Sequence, residues 1–184
     1  MKPTEVLVEE HKAIKTMLRV LNEVASELEA GEETHPSHLD MILEFIKLFA
    51  DRCHHGKEED LLFPAMEKAG IPREGGPLGV MLTEHKFGRE YVKGMSESAE
   101  KLKRGDRSAA AQFAENARQY VKLLSQHIDK EDNILYPMAD KNVPEKKQDE
   151  LLREFDKVET ERMGAGKHEE LHKTLRHLVS VYLK

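Results

Sequence analysis

The two halves of the chain repeat one pattern of histidine and glutamate, and this repeat constrains the fold more than any other feature. The segment HHGKEEDLLFP at residues 54–64 matches HIDKEDNILYP at residues 127–137. In both segments the first histidine stands four residues before a glutamate, and residues four apart share one face of a helix. The two pairs are His54 with Glu58 and His127 with Glu131.

A second, shorter match lies upstream of each pair. The sequence EEHK at residues 9–12 corresponds to TEHK at residues 83–86, and each contains a lone histidine, His11 or His85. Each half of the chain therefore supplies one lone histidine and one His-x-x-x-Glu pair. Such a repeat predicts two similar sets of polar groups around one interior.

Apolar residues at alternating spacings of three and four predict an all-α chain. Four long helices are joined by short breaks rich in glycine and proline, and two shorter helices follow. We expect an antiparallel, up-down-up-down four-helix bundle over residues 1–140, with a C-terminal helical extension over residues 141–184 packing on it. The predicted helices cover about 4–29, 37–68, 78–104, 108–140, 145–160 and 167–183.

Polar residues interrupt the apolar faces of these helices where the repeat falls. His127 and Glu131 continue the stripe that contains Tyr120 and Leu124, and His11 lies on the stripe of the first helix. Burying such groups costs several kcal/mol unless a partner satisfies them. Four imidazoles and two carboxylates without a thiolate predict a nitrogen and oxygen metal site that suits a pair of iron or manganese ions.

At these residues the sequence resembles the hemerythrin-like HHE cation-binding family over about residues 4–140. The resemblance implies a four-helix bundle around a non-haem di-iron centre, with bridging carboxylates and an oxo or hydroxo bridge; manganese and zinc are less favoured. The metal ligands that it implies, position by position, are His11, His54, Glu58, His85, His127 and Glu131. We expect the first three to bind one ion and the last three the other, with both glutamates as bridges.

Two positions depart from the animal oxygen carriers of this family, which have a His-x-x-x-His pair on the third helix. The residues four before and four after His85 are Met81 and Arg89, so the second histidine is missing. Such carriers also use an aspartate five residues after the last histidine, which here is Asp132 next to the chosen Glu131. An open metal position favours redox chemistry with a small oxidant, because a substrate needs a free site on the metal.

Three further residues are candidates for the missing ligand. His55 follows His54 directly and points about 100° away on a regular helix, so we interpret it as a hydrogen-bond partner of the site. A second apolar stripe contains His55, however, and a local bulge near Gly56 would reconcile the two phases. For the extension we favour an amphipathic last helix that packs on the bundle and exposes its histidines, and ligation by Glu159 or His168 is the other hypothesis.

Composition limits the partners and the compartment. The net charge is −6 and the basic residues are scattered, so the sequence does not predict nucleic-acid binding. It contains no apolar run of about 18–20 residues that would span a membrane, and its first residues lack the apolar core of a signal peptide. The single cysteine, Cys53, fits a reducing environment, so we expect a cytoplasmic protein.

The predicted function is binding of iron and of a small oxidant (dioxygen, peroxide or nitric oxide) for sensing, detoxification or iron handling. The alternative is an enzyme, either a di-iron peroxidase or catalase-like protein or a nitrosative-stress repair protein. A sensor that signals through its extension is a third class, although the sequence contains no fused signalling domain. The sequence identifies neither an electron donor nor a protein partner.

Overall fold

The computed structural model describes residues 1–184 as six helices without a strand, which confirms the all-α class. The helix limits lie within three residues of the predicted ones. None of the helices combines the length and the apolar character that a membrane crossing requires. The helices are α1 (Pro3–Glu29), α2 (36–68), α3 (Pro77–Lys103), α4 (109–142), α5 (Glu145–Val158, extended by one wider turn over Glu159–Met163) and α6 (Lys167–Tyr182).

Proline and glycine set the ends of the first long helices. Pro3, Pro36 and Pro77 are the first residues of α1, α2 and α3, where the missing backbone N–H costs no hydrogen bond. Gly31 and Gly105 follow α1 and α3 with φ angles of +77° and +89°. Only glycine adopts this left-handed conformation without strain, so it ends both helices.

Two of the long helices contain π-helical turns at the level of the repeat. The backbone of α2 is π-helical over Ile46–His55 and again over Glu58–Leu62, and that of α4 over Glu131–Leu135. A π turn contains more residues than an α turn, so it rotates the residues that follow toward a different face. As a result residues 53–58 are all buried, and the predicted irregularity near Gly56 is present.

Buried apolar side chains form two clusters, and the histidines of the repeat lie between them along the helices. On α1, Leu7 belongs to the smaller cluster and Ile14 to the larger one, with His11 between them. On α4, Leu124 belongs to the larger cluster and Leu135 to the smaller one, on either side of His127. The bundle therefore has a polar layer across its core.

The C-terminal helices share both apolar clusters with the rest of the chain. Leu171, Leu175 and Leu178 of α6 are part of the larger cluster, and Leu151 and Phe155 of α5 are part of the smaller one. Apolar area removed from water stabilises by roughly 25 cal/mol per Å². Residues 145–184 therefore contribute to the stability of the same core.

We predict that Leu171→Ala destabilises the whole protein, because Leu171 is completely buried. A cavity of this kind costs about 2–5 kcal/mol in the free energy of unfolding. Urea denaturation followed by circular dichroism should show one transition at a lower midpoint. The control is Val181→Ala, since Val181 of α6 is 37% exposed and its truncation should change the free energy by less than about 0.5 kcal/mol. Two separate transitions would contradict a shared core.

Candidate metal centre

The structure brings the six residues of the repeat together in the polar layer. Their side chains come from α1, α2, α3 and α4, and none of them is more than 2% exposed. Two groups of side chains that could hold a metal ion form there, each with its candidate ligand atoms within 4.8 Å of one another. We call them the first and the second half of the centre. The first half contains His11, His54 and Glu131, and the second contains His55, Glu58, His85 and His127.

In each half two imidazole nitrogens face each other. The Nε2 atoms of His11 and His54 are 3.0 Å apart, and so are those of His85 and His127. Two nitrogens that bind one ion at about 2.1 Å in adjacent octahedral positions also lie about 3.0 Å apart. The spacing therefore fits one cation in each half.

The two glutamates lie between the halves. Glu131 places Oε2 at 3.2 Å from Nε2 of His11 and Oε1 at 2.9 Å from Nε2 of His127. Glu58 places Oε2 at 3.4 Å from Nε2 of His85 and at 3.9 Å from Nε2 of His54. The assignment of the glutamates to the two halves differs from the expected one, because Glu131 belongs to the first half and Glu58 to the second. Each carboxylate lies near histidines of both halves.

His55 lies inside the second half, whereas the sequence interpretation gave it only an outer role. Its ring stacks on that of His85 with 3.9 Å between the ring centroids. The π turns of α2 explain the difference, because they turn consecutive histidines toward the interior together. His55 thereby adds an imidazole to the half in which α3 has no second histidine; Met81 packs in an apolar cluster, and Arg89 is partly exposed.

Each of the five histidines donates its Nδ1–H to a carboxylate outside the centre, over 2.6–3.3 Å. Because an ionised carboxylate only accepts hydrogen bonds, Nδ1 carries a proton in each ring, and in the neutral imidazole the Nε2 lone pair faces inward. This is the tautomer that a metal ligand needs. The pairs are His11 with Asp132, His54 with Glu10, His55 with Asp51, His85 with Glu59 and His127 with Glu84.

A cationic side chain stabilises each of these outer carboxylates in turn. Arg89 donates to both Asp51 and Glu59 at 2.8 Å. The other contacts are Lys15 to Asp132, Lys57 to Glu10 and Lys130 to Glu84. The imidazoles are therefore held by two further layers of charged groups.

The sequence interpretation missed these outer layers, although the repeat contains a signal for them. A glutamate precedes each lone histidine, a lysine precedes each glutamate of the centre, and an acidic residue follows it. In the structure Glu10 and Glu84 each accept a hydrogen bond from the other histidine of the same half, His54 and His127. The acidic residues Glu59 and Asp132 accept from the lone histidines of the other repeat, His85 and His11. The residues concerned are Glu10, Lys57, Glu59, Glu84, Lys130 and Asp132.

Three buried oxygens in the centre lack any hydrogen-bond partner: Oε2 of Glu58 and both carboxylate oxygens of Glu131. The Nε2 atoms of His11, His85 and His127 approach these oxygens at 2.9–3.4 Å. Seven carboxylates surround the imidazoles and four cationic side chains offset four of them, which leaves three negative charges to be balanced by protons on the imidazoles or by a bound cation. Carboxylate oxygens without a partner and a buried excess of negative charge both fit cation binding.

The centre also shifts the pKa values of its histidines. Burial lowers the pKa of His11, but hydrogen bonds to Asp132 and Glu131 outweigh it and raise the pKa to about 9. For His127, burial is likewise outweighed by the charge of Glu131, and the pKa rises to about 10. Burial and the neighbouring His85 hold the pKa of His55 well below its ordinary value.

Neither candidate from the extension reaches the centre. Glu159 accepts a hydrogen bond from Lys57 over 2.6 Å, and the His168 ring lies 5.4 Å from that of Phe49. Tyr136 does reach it, because its hydroxyl donates to Oε1 of Glu58 over 2.7 Å. The polar layer is thus closed by residues of the repeat segments themselves.

The family profile described as the hemerythrin HHE cation binding domain matches residues 2–139, three quarters of the chain. The chain belongs to this family. The match confirms the resemblance that the repeat indicated, and it makes the buried histidines and glutamates the metal-binding candidates of a cation-binding domain.

The similar proteins are described as uncharacterized, so they do not indicate a function. The chain is 25% identical over 133 residues to an uncharacterized protein of Mycobacterium bovis and to uncharacterized proteins of two Mycobacterium tuberculosis strains. The matched region covers 72% of this chain and 51% of each relative. The chain therefore spans about half the length of the curated relatives that it matches.

We predict that cation binding by this hemerythrin HHE domain releases protons at pH 7. The metal-free centre keeps protons on His11 and His127 up to pH values of about 9 and about 10, whereas a cation needs the neutral imidazoles. Protons therefore compete with the cation, and the apparent affinity should rise with pH up to about 9, where His11 loses its proton. Titration calorimetry in buffers of different ionisation enthalpy measures the release, and a pH-independent affinity would contradict the prediction.

Proposed function

We propose that this chain is a non-haem di-iron protein of the hemerythrin HHE family that binds dioxygen, peroxide or nitric oxide, in sensing, detoxification or iron handling. One observation carries the proposal: the Nε2 atoms of four buried imidazoles lie within 3.9 Å of buried carboxylate oxygens that have no hydrogen-bond partner. When bound, iron would supply redox chemistry with such oxidants. In this proposal the long helices run up-down-up-down, and the protein is cytoplasmic.

The donor set favours iron over the other metals. Imidazole and carboxylate ligands without a thiolate suit iron, and carboxylates between two cation positions are typical of di-iron bundles. His11 and His54 would hold one ion, His55, His85 and His127 the other, and Glu58 and Glu131 would bridge them. The second position thus has one imidazole more than the first.

A cavity gives a small molecule a path to the second position. It has a volume of about 290 Å³ and is lined by His55, His85 and Tyr120, with Arg89 and Asp51 also on its wall. Its volume is ample for a diatomic or triatomic ligand. The cavity is therefore compatible with a small oxidant as the partner.

Metal analysis of the purified, iron-loaded protein tests the proposal. We predict about two irons per chain, as in other di-iron bundles, with an optical spectrum that changes on reduction. One zinc per chain without a visible band would overturn it.

The variant His55→Ala tests the role of the histidine that the sequence interpretation placed outside the centre. Removing this imidazole leaves the second position with fewer ligands, so the iron content should fall from about two to about one per chain. The control is His35→Ala, because His35 caps α2 at the surface, far along the chain from the centre. Equal iron content in both variants would show that His55 is not a metal ligand.

A di-iron peroxidase, catalase-like or nitrosative-stress repair enzyme is the second proposal, and Tyr136 favours it. Its hydroxyl donates a hydrogen bond to Oε1 of Glu58 and lies 3.4 Å from Nε2 of His11. Burial and the charges of Glu131 and Glu58 raise its pKa well above the ordinary value, so the proton stays on the oxygen. Turnover of peroxide by the iron-loaded protein distinguishes the enzyme from a protein that only binds oxidants, and Tyr136→Phe should lower that turnover.

A further inference from the structure

A buried lysine links the C-terminal extension to the metal centre. Lys57 is completely buried, and its ammonium group donates to Oε1 of Glu10 over 2.5 Å and to Oε1 of Glu159 over 2.6 Å. Lys57 belongs to α2 and Glu10 to α1, whereas Glu159 lies in the π turn that follows α5. Burying an unpaired ammonium group costs several kcal/mol, and these two carboxylates are the partners that stabilise Lys57 in the interior.

The link continues to a candidate metal ligand. The second oxygen of Glu10, Oε2, accepts the hydrogen bond from Nδ1 of His54 over 2.8 Å. The carboxylate partner of a metal-binding imidazole fixes its tautomer and the orientation of its ring. Glu159, Lys57, Glu10 and His54 thus form one continuous chain of charged contacts, which we call the extension arm.

The corresponding chain in the second half has no such outer member. Lys130 donates to Glu84, and Glu84 accepts from Nδ1 of His127, but the Lys130 side chain is 38% exposed and contacts no carboxylate of the extension. Lys57 is also covered by the ring of Phe155, whose centroid lies 5.6 Å from the ammonium nitrogen. The extension therefore closes only the half that contains His54.

We propose that Glu159 is a positioning residue for the metal centre: it holds Lys57 against Glu10 and thereby fixes the ring of His54. Docking of residues 145–163 and cation binding in the first half then stabilise each other, because coupling between two sites is reciprocal. The inference rests on the proposed function, since it requires a cation at His54. It adds that a segment beyond the HHE match controls one of the two positions.

Release of iron(II) to a ferrous chelator under anaerobic conditions tests the arm with full-length protein. Glu159→Gln keeps the shape of the side chain and removes the charge that holds Lys57. We expect two release phases in the wild type, and in the variant one of them about three- to tenfold faster, below the 10–100-fold effect of removing a direct partner of a ligand. The other phase should keep its rate, and the visible spectrum should change.

Glu44→Gln is the matched control. Glu44 also anchors the extension, since it accepts a hydrogen bond from Lys167 over 2.8 Å, but it has no contact with Lys57. Its variant should release both ions at the wild-type rates. A second comparison uses Lys57→Met, in which adding Glu159→Gln should change the release rate no further.

Hydrogen exchange measures the reciprocal effect and does not depend on the Lys57 variant folding. Amides of residues 145–163 should exchange more slowly in the iron-loaded wild type than in the metal-free protein, and Glu159→Gln should abolish that difference. If wild-type protein binds two ions and Glu159→Gln releases them at the wild-type rates, Glu159 does not position His54 and the proposed function stands. Equal acceleration by Glu44→Gln also overturns the arm. A wild type that binds no ion would overturn both.

Discussion

Hydrogen bonds from histidine Nδ1 to carboxylates are the interactions on which the rest of the structure depends. Five imidazoles and two glutamates lie in the core with almost no exposure, where unpaired polar groups would cost several kcal/mol each. The Nδ1 contacts satisfy one side of every ring and leave the opposite nitrogen, Nε2, toward the interior. Each contact joins two helices or two turns of one helix, so the same bonds that prepare the centre also hold the bundle together.

The π turns are the second requirement. In a regular helix His54 and His55 would face directions about 100° apart, and one of them would leave the core. The wider turns of α2 bury residues 53–58 without interruption, so that two histidines, Lys57 and Glu58 all reach the interior. A π turn at Glu131–Leu135 of α4 lies at the matching place in the second repeat segment. π-helical turns are frequent at functional sites, and here they supply side chains that an α-helix of the same length could not present.

The sequence was sufficient for the helices, the repeat and the meeting of six residues, because all three depend on local periodicity. It was insufficient for His55, since its position depends on a departure from that periodicity. The outer carboxylates could have been predicted from the sequence, because Glu10 and Glu84 recur in the repeat together with the histidines that follow them. The contact of Glu159 was not predicted: the sequence left it as one of two hypotheses for an additional ligand, and the structure pairs it with Lys57. A contact across 102 residues of chain has no local signature.

The residues that break the repeat make the two halves of the centre different. His55 has Ile128 as its counterpart, and it adds an imidazole and a cavity wall to the second half. Lys57 has Lys130 as its counterpart, yet only Lys57 is buried beneath the extension. One half therefore faces a cavity of about 290 Å³, while the histidine of the other is held from behind by the C-terminal segment. The two halves of a repeated site thus differ in their surroundings, one beside a cavity and the other beneath the C-terminal extension.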